Sequence, residues 1–288
     1  MTPMRLCLFT PRVHRLAGLL ALGLALSLAT LQSASAQAMR PAPPPGWHVT
    51  AGFGLVGGPS YEGSGANQVN LVPNLSAGYR DAFSLSIRGA EYFFRPNEDL
   101  KLTAIATLLP GRDEDQDGGP FTIGGGETDR LRGMGDIDRS LGLGGAIAYD
   151  YGPGEIKAKL VQGVDDTAGL RGELGVALNG VISTPGPPLI WSFGPKLLFQ
   201  DQNAAQTRFG VSQAQAGATG YAAFSPEGGV YANELSGTLV LPLARDGSST
   251  LVGFGGLRRL EGDAAQSPIV AERTGLRLGL VWGRRFNL

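Results

Sequence analysis

From Trp47 onward, apolar side chains return at every second residue, a period that belongs to strands with one apolar and one polar face and to no helix. Trp47, Val49, Ala51, Phe53 and Leu55 share one side, with His48, Thr50, Gly52 and Gly54 on the other. The pattern recurs in Phe83, Leu85 and Ile87, in Leu174, Val176 and Leu178, and in Leu235, Gly237, Leu239 and Leu241. Further segments near 68–79, 100–109, 141–150, 155–164, 189–200 and 250–260, with a last one from Thr274 to Leu288, bring the count to eleven. They are separated by turn signals such as Arg80-Asp81, Arg95-Pro96-Asn97, Tyr151-Gly152-Pro153-Gly154 and Arg245-Asp246-Gly247.

The N-terminus says where such strands go. Arg5, Arg12, His14 and Arg15 precede an apolar run from Leu16 to Leu31, followed by Ser33-Ala34-Ser35-Ala36-Gln37-Ala38. That order is a secretory signal peptide with an A-x-A cleavage site, and its apolar run is shorter than the ~20 residues of a spanning helix. Residues 1–38 are expected to be removed, 39–46 form a proline-rich lead-in (Pro41, Pro43, Pro44, Pro45), and 47–288 form the folded unit. No later stretch approaches ~18 consecutive apolar residues. An exported chain of this kind enters a bilayer only as a closed barrel, because lipid offers no partner to an unpaired strand edge.

A soluble sandwich or lipocalin-like barrel alternates in the same way but turns its apolar face inward. The last segment favours the membrane. Leu276, Leu278, Leu280, Trp282, Phe286 and Leu288 share a face opposite Gly275, Arg277, Gly279, Val281, Gly283, Arg285 and Asn287. An apolar band with aromatics near its end fits a lipid-facing strand, and it is the kind of end that barrel-assembly machinery reads. Arg284 departs from the pattern, a position suited to snorkelling at an interface. The expectation is an all-β, antiparallel transmembrane β-barrel of about twelve strands, with ten as the alternative, since such barrels usually have an even number. Lipid of the outer membrane is then the surrounding partner. On this reading Leu278→Arg or Leu280→Arg weakens insertion, while Gly279→Ser is mild.

Composition removes several function classes. The only cysteine, Cys7, lies in the leader, so the mature chain has no disulfide, thiol nucleophile or cysteine metal site. Of 24 basic residues three lie in the leader, leaving 21 against 25 acidic, a formal −4 that gives no nucleic-acid footprint. The 45 glycines show no three-residue period, which excludes collagen.

Candidate chemistry is sparse. Asp113, Asp115 and Asp117 before Gly118 open like a calcium loop, but the twelfth position is Gly124 and no helix pattern flanks it. The expectation there is a solvated acidic loop with Arg112, Arg130, Arg132 and Arg139 as local partners. His48 is the sole histidine after the leader, and the Gly63-Ser64-Gly65 serine is no nucleophile elbow. A structural hydrogen bond is expected for His48, and no catalytic, cofactor-binding or metal residue is assigned; the chain is read as not an enzyme. Trp47, Tyr79, Tyr92, Phe93, Phe94, Tyr149, Tyr151, Trp191 and Trp282 read as interfacial anchors. Arg88, Lys157, Lys159, Glu173, Glu234, Arg277 and Arg285 fall on polar faces, where they either pair across a narrow interior or line a small pore.

Five strings then stand out in order. They are Pro59-Ser60-Tyr61-Glu62-Gly63-Ser64; Gly111-Arg112-Asp113-Glu114-Asp115; Leu131-Arg132-Gly133-Met134-Gly135-Asp136-Ile137-Asp138; Thr207-Arg208-Phe209-Gly210-Val211-Ser212 with Gln213-Ala214; and Gly262-Asp263-Ala264-Ala265-Gln266-Ser267-Pro268-Ile269-Val270. Together they resemble the MipA/OmpV family, the MltA-interacting proteins of the outer membrane, over about residues 47–286. Two departures are Arg208, where the family usually has an aromatic, and Asn287 and Leu288 after Phe286, where members commonly finish on an aromatic. The resemblance implies a scaffold in the outer membrane that brings a lytic transglycosylase together with a murein synthase, with a narrow pore for small solutes as the alternative. It carries no catalytic residue.

Overall fold

In the computed structural model, residues 46–115 and 121–288 are described. The expected leader, residues 1–38, and residues 39–45 of the expected lead-in lie outside them. Twelve strands form the wall: β1 (Trp47–Pro59), β2 (Asn67–Tyr79), β3 (Phe83–Ser86), β4 (Gly89–Phe94), β5 (Leu100–Leu109), β7 (Ser140–Tyr151), β8 (Gly154–Gly163), β9 (Leu170–Ile182), β10 (Leu189–Gln200), β11 (Gly229–Pro242), β12 (Ser249–Leu260) and β13 (Thr274–Asn287). Every pairing is antiparallel between neighbours, and β1 pairs with both β2 and β13. The sheet therefore closes and leaves no free lateral edge along β1.

The expected twelve is the observed number. The segment missing from the eleven is β4, hidden because Ile87 and Arg88 alone separate it from β3, so the apolar run continues through the turn. Arg88 accordingly sits exposed in that turn and does not line the lumen.

The two faces have opposite chemistry. Leu276, Leu278 and Leu280 are 52 %, 56 % and 51 % exposed, and Phe53, Leu143, Leu160, Phe193 and Leu239 are similarly bare. On a soluble protein so continuous an apolar surface would be a liability; on a barrel it is the lipid-facing band. Glycines, serines and threonines occupy much of the inner face, where side chains from across the barrel compete for room. Gly279 shows why: a Cβ there would come within 2.2 Å of the Phe254 ring. Gly279→Ser therefore requires that ring to turn away first.

Both ends of the folded unit and the turns 80–82, 95–99, 152–153, 183–188 and 243–248 lie together at one end of the barrel, and the loops 60–66, 110–139, 164–169, 201–228 and 261–273, which include all the long ones, at the other. In bacterial barrels short turns face the periplasm and long loops the exterior. At the short-turn end Trp47 stacks near Tyr79 and Phe83 with ring centroids 5.2 and 6.4 Å apart. Trp282 donates its indole N–H to Ser249 Oγ at 3.0 Å. Tyr92 and Phe94 also face outward, whereas Phe93, between them, falls on the inner face and is no interfacial anchor. Arg284 lies over Phe286, 5.6 Å from the ring centre, at this same rim.

One stretch of wall is low. β3 and β4 have 4 and 6 residues, against 10–14 in the other wall strands. β3 covers β2 only at Ser76–Tyr79. Above it, a thirteenth short strand from the 110–139 loop, β6 (Thr122–Gly125), pairs with Gln68–Asn70, and Leu71 N–H donates to the Phe121 carbonyl at 2.8 Å. Val72–Leu75 face no partner strand on that side. Pro73, whose nitrogen points the same way as that of Leu71, has no N–H to leave unpaired there.

Candidate functional site

The long loops do not stand apart as solvated hairpins; they fold onto one another as a cap over the barrel mouth. The loop after β10 makes two helices, α1 (Gln202–Phe209) and α2 (Gln213–Thr219). Asp201 caps α1 by accepting from Ala204 N–H at 2.9 Å, and Ser212 with Gln215 forms a capping box on α2. α1 ends on Phe209, which is fully buried against Leu198 of β10, Ala232 of β11, Leu260 of β12 and Ala264. A second apolar cluster joins Tyr61, Leu131, Met134, Val211 and Ile269, drawn from four loops. No pair of these side chains is close in sequence unless it shares a loop, so only closure of the barrel brings them together.

Polar contacts tie the same loops. Tyr61 donates its hydroxyl to the Ile269 carbonyl at 2.9 Å, and Ser267 Oγ donates to the Phe209 carbonyl at 2.5 Å. Gln215 reaches the Met134 carbonyl at 2.5 Å, and Tyr221 the Arg130 carbonyl at 3.2 Å. Ala271 N–H donates to the Gly63 carbonyl at 2.7 Å. Gly63 itself has φ +95 and its Cβ position would meet Val270, so the turn after Glu62 accepts only glycine without strain.

At the floor of the cap, Glu62 is held between two guanidiniums. Arg208 of α1 approaches it through Nη2 at 2.8 Å and Nε at 3.0 Å, and Arg258 of β12 through Nη1. Arg258 also bonds Glu234 at 2.7 Å, and Lys196 meets Glu234 at 2.9 Å. The side chains of Glu62, Arg208 and Arg258 keep 14 %, 20 % and 25 % of their exposure. Burial pushes the Glu62 carboxyl up, but the Arg208 and Arg258 charges outweigh it and hold the group at about 2. Burial and the neighbouring Arg208 charge bring Arg112 down to about 10.

The five strings singled out in the sequence meet here. Pro59–Ser64 supplies Tyr61 and Glu62, Thr207–Ser212 supplies Arg208 and Phe209, and Gly262–Val270 supplies Ser267 and Ile269. Gly111–Asp115 and Leu131–Asp138 bond each other: Glu114 accepts from Gly133 N–H at 2.9 Å and Gly135 N–H at 2.8 Å, while Asp136 accepts from Glu114 N–H at 2.8 Å. The departure at Arg208 is thus the position that supplies the ion pair to Glu62. The acidic stretch is exposed at Asp113 and Asp115 as expected, but the later part of the loop is not solvated, since Leu131 is fully buried and Met134 nearly so. Nor are its arginines all locally paired. Arg132 does pair with Asp129 at 2.7 Å, but Arg112 donates to the Arg208 carbonyl at 2.7 Å and Arg130 to the Pro268 carbonyl at 3.4 Å. Asp117 lies outside the described residues, and among those described no group of three acidic, histidine or cysteine side chains is placed to hold a metal. Gly124, the failing twelfth position, is a β6 residue paired with Val69.

The other candidates are dispersed. His48 is at the short-turn rim, packed over Gly78, and its buried Nδ1 has no hydrogen-bond partner among the described residues. Ser64, buried past the far end of β1, shares a hydrogen bond with Ser60 Oγ at 2.8 Å and accepts from Ala66 N–H. Of the inward charges, Lys157 pairs with Glu173 at 3.4 Å and Glu234 with Lys196 and Arg258. Two cavities of about 330 and 400 Å³ lie beneath the cap around Glu62, Arg258 and Arg277.

A closed twelve-strand barrel with an apolar outer band, an aromatic rim and a folded cap is an integral outer-membrane β-barrel protein. The chain belongs to the MltA-interacting protein MipA family, whose model matches residues 51–286. No curated protein is a significant match. Among solved structures, an outer membrane channel from Pseudomonas putida F1 is 10% identical over 86% of this chain and 98% of its own, with TM-score 0.40. OprD from Pseudomonas aeruginosa is 14% identical over 84% and 66%, TM-score 0.32. The translocator domain of the autotransporter NalP from Neisseria meningitidis is 13% identical over 94% and 97%, TM-score 0.35.

Proposed function

We propose that this outer-membrane barrel is a non-enzymatic interaction protein, serving as a membrane-held scaffold for a murein lytic transglycosylase and, with it, a murein synthase. The observation that carries the reading over a pore is the cap. A diffusion channel needs a wet lumen open at both mouths, whereas here Phe209 and the Glu62–Arg208–Arg258 ion pairs narrow the long-loop mouth. The family description supplies the partner class.

The five strings belong to the cap, which by the loop-length rule faces outward, so the docking surface for periplasmic enzymes is the opposite rim. That rim carries the turns Arg80–Ala82, Arg95–Asp99 and Leu243–Ser248, with Arg80 over the Tyr79 ring at 5.3 Å. Detergent-solubilised membranes tested by affinity capture should yield a lytic transglycosylase, and replacing Arg80-Asp81 and Arg245-Asp246 by Gly-Ser should lose it while heat-modifiability on gels persists. Recovery of neither a murein hydrolase nor a synthase would remove the scaffold. A steady unitary current in planar bilayers would instead establish the pore.

A further inference from the structure

The larger cavity under the cap has an unusual lining. Arg112 of the 110–139 loop, Arg171 of β9, Arg208 of α1, Arg258 of β12 and Arg277 of β13 all face it. Against these five cations stand three carboxylates, Glu62 with Asp113 and Asp115 at the edge. Glu62 is already committed to Arg208 and Arg258. Among the described residues Arg112, Arg171 and Arg277 have no ion pair.

Their hydrogen bonding is incomplete as well. Arg112 donates through Nη1 to the Arg208 carbonyl and Arg171 through Nη2 to the Ala168 carbonyl at 3.5 Å. The Nε atoms of both are buried with no partner. A buried guanidinium N–H left unmet is costly, and both of these side chains also line the one cavity. Burial first and the Arg208 charge second lower Arg112, and the Arg208 and Arg258 charges depress the Glu62 carboxyl. Guanidinium forks match the oxygens of a phosphoryl group two at a time, which a single carbonyl or water does not. A volume of about 400 Å³ suits a small ligand or a lipid head group.

We infer that this cavity is a binding site for a phosphoryl-bearing anion, held chiefly by Arg112, Arg171 and Arg277. Two sources present that chemistry. A soluble phosphorylated solute reaches the site from the mouth. A lipid phosphate of the outer leaflet reaches it through the low wall above β3 and β4, because Gln68 lines the cavity and is also the β2 residue that pairs with Gly125 of β6. Exposed Leu71, Leu75, Ile87 and Phe121 line the membrane side of that gap and suit the acyl chains of such a lipid.

The test uses the full barrel in a non-ionic detergent, titrated calorimetrically with inorganic phosphate, and separately the barrel in phosphatidylcholine vesicles with and without phosphatidic acid, read by thermal unfolding. Saturable phosphate binding, weakened about tenfold in Arg112→Gln/Arg171→Gln and unchanged in Arg284→Gln, supports a soluble ligand. A rise in melting temperature with phosphatidic acid alone, lost in the same variants, supports the lipid source. Arg277→Gln, which removes no hydrogen bond of the cap, should lower affinity at least threefold with loop proteolysis unaltered, so loss of binding is separable from loss of folding. Neither probe binding, or equal binding by all variants, overturns the site.

Discussion

The lipid-facing band is built from the strands and the cap from the loops that join them, and the two obey different rules. In the band each residue answers to its immediate surroundings: Leu278 contacts lipid because Arg277 and Gly279 point inward, and the period of two is enough. In the cap the contacts that join one loop to another are not set by neighbours in sequence. Tyr61 bonds a carbonyl 208 residues away and Arg208 pairs with a carboxylate 146 residues away. The band is consequently tolerant within a class, apolar for apolar, whereas the cap depends on particular partners.

That contrast is open to test. The largest effect should come from Glu62→Ala, which leaves Arg208 and Arg258 buried without their shared carboxylate and should cost about 3–5 kcal/mol. Limited proteolysis should then cut the cap loops while the barrel still shifts on heating in gels; simultaneous collapse of both would show that cap and band are one cooperative unit. Next, Leu278→Arg or Leu280→Arg should lower the stability of the lipid-inserted barrel by ~2–4 kcal/mol in a denaturant titration, leaving loop protection intact.

Acid should act on the cap before the band. Because the folded carboxyl of Glu62 lies below its ordinary value of 4.5, at about 2, its contribution is complete above pH 4.5 and is lost as the pH falls from there toward 2. It amounts to roughly 3 kcal/mol. Hydrogen exchange in α1 and the 60–66 turn should rise over that interval in the wild type, and Glu62→Gln should flatten this part of the profile. Smallest is Gly279→Ser, expected to cost about 1–3 kcal/mol through the displaced Phe254 ring. Phe254→Ala in the same chain should recover much of it, and additive losses would mean that the ring already has room to move.

Most of the band was legible beforehand, and the reasons are specific. β1, β2, β10 and β13 could be read from alternation because lipid on one side and a crowded lumen on the other leave each position a single face. β4 is not legible because a two-residue turn does not interrupt an apolar run, and the face of Phe93 is not because an aromatic near a strand end gives no sign of which face it occupies. Arg208 stood out only as a mismatch to a family string; nothing local marks it as the partner of Glu62. Arg171, Lys196 and Arg258 were not singled out at all, although each falls on the polar face of its strand.

By itself, then, the sequence determined that this chain crosses a membrane as an antiparallel closed sheet, since side-chain alternation is a local steric property and lipid forbids open edges. Whether the mouth is open, which loops meet, and where the arginines gather were decided only in three dimensions. Those outcomes depend on side chains separated by a hundred residues or more, and they become neighbours only when β1 closes on β13.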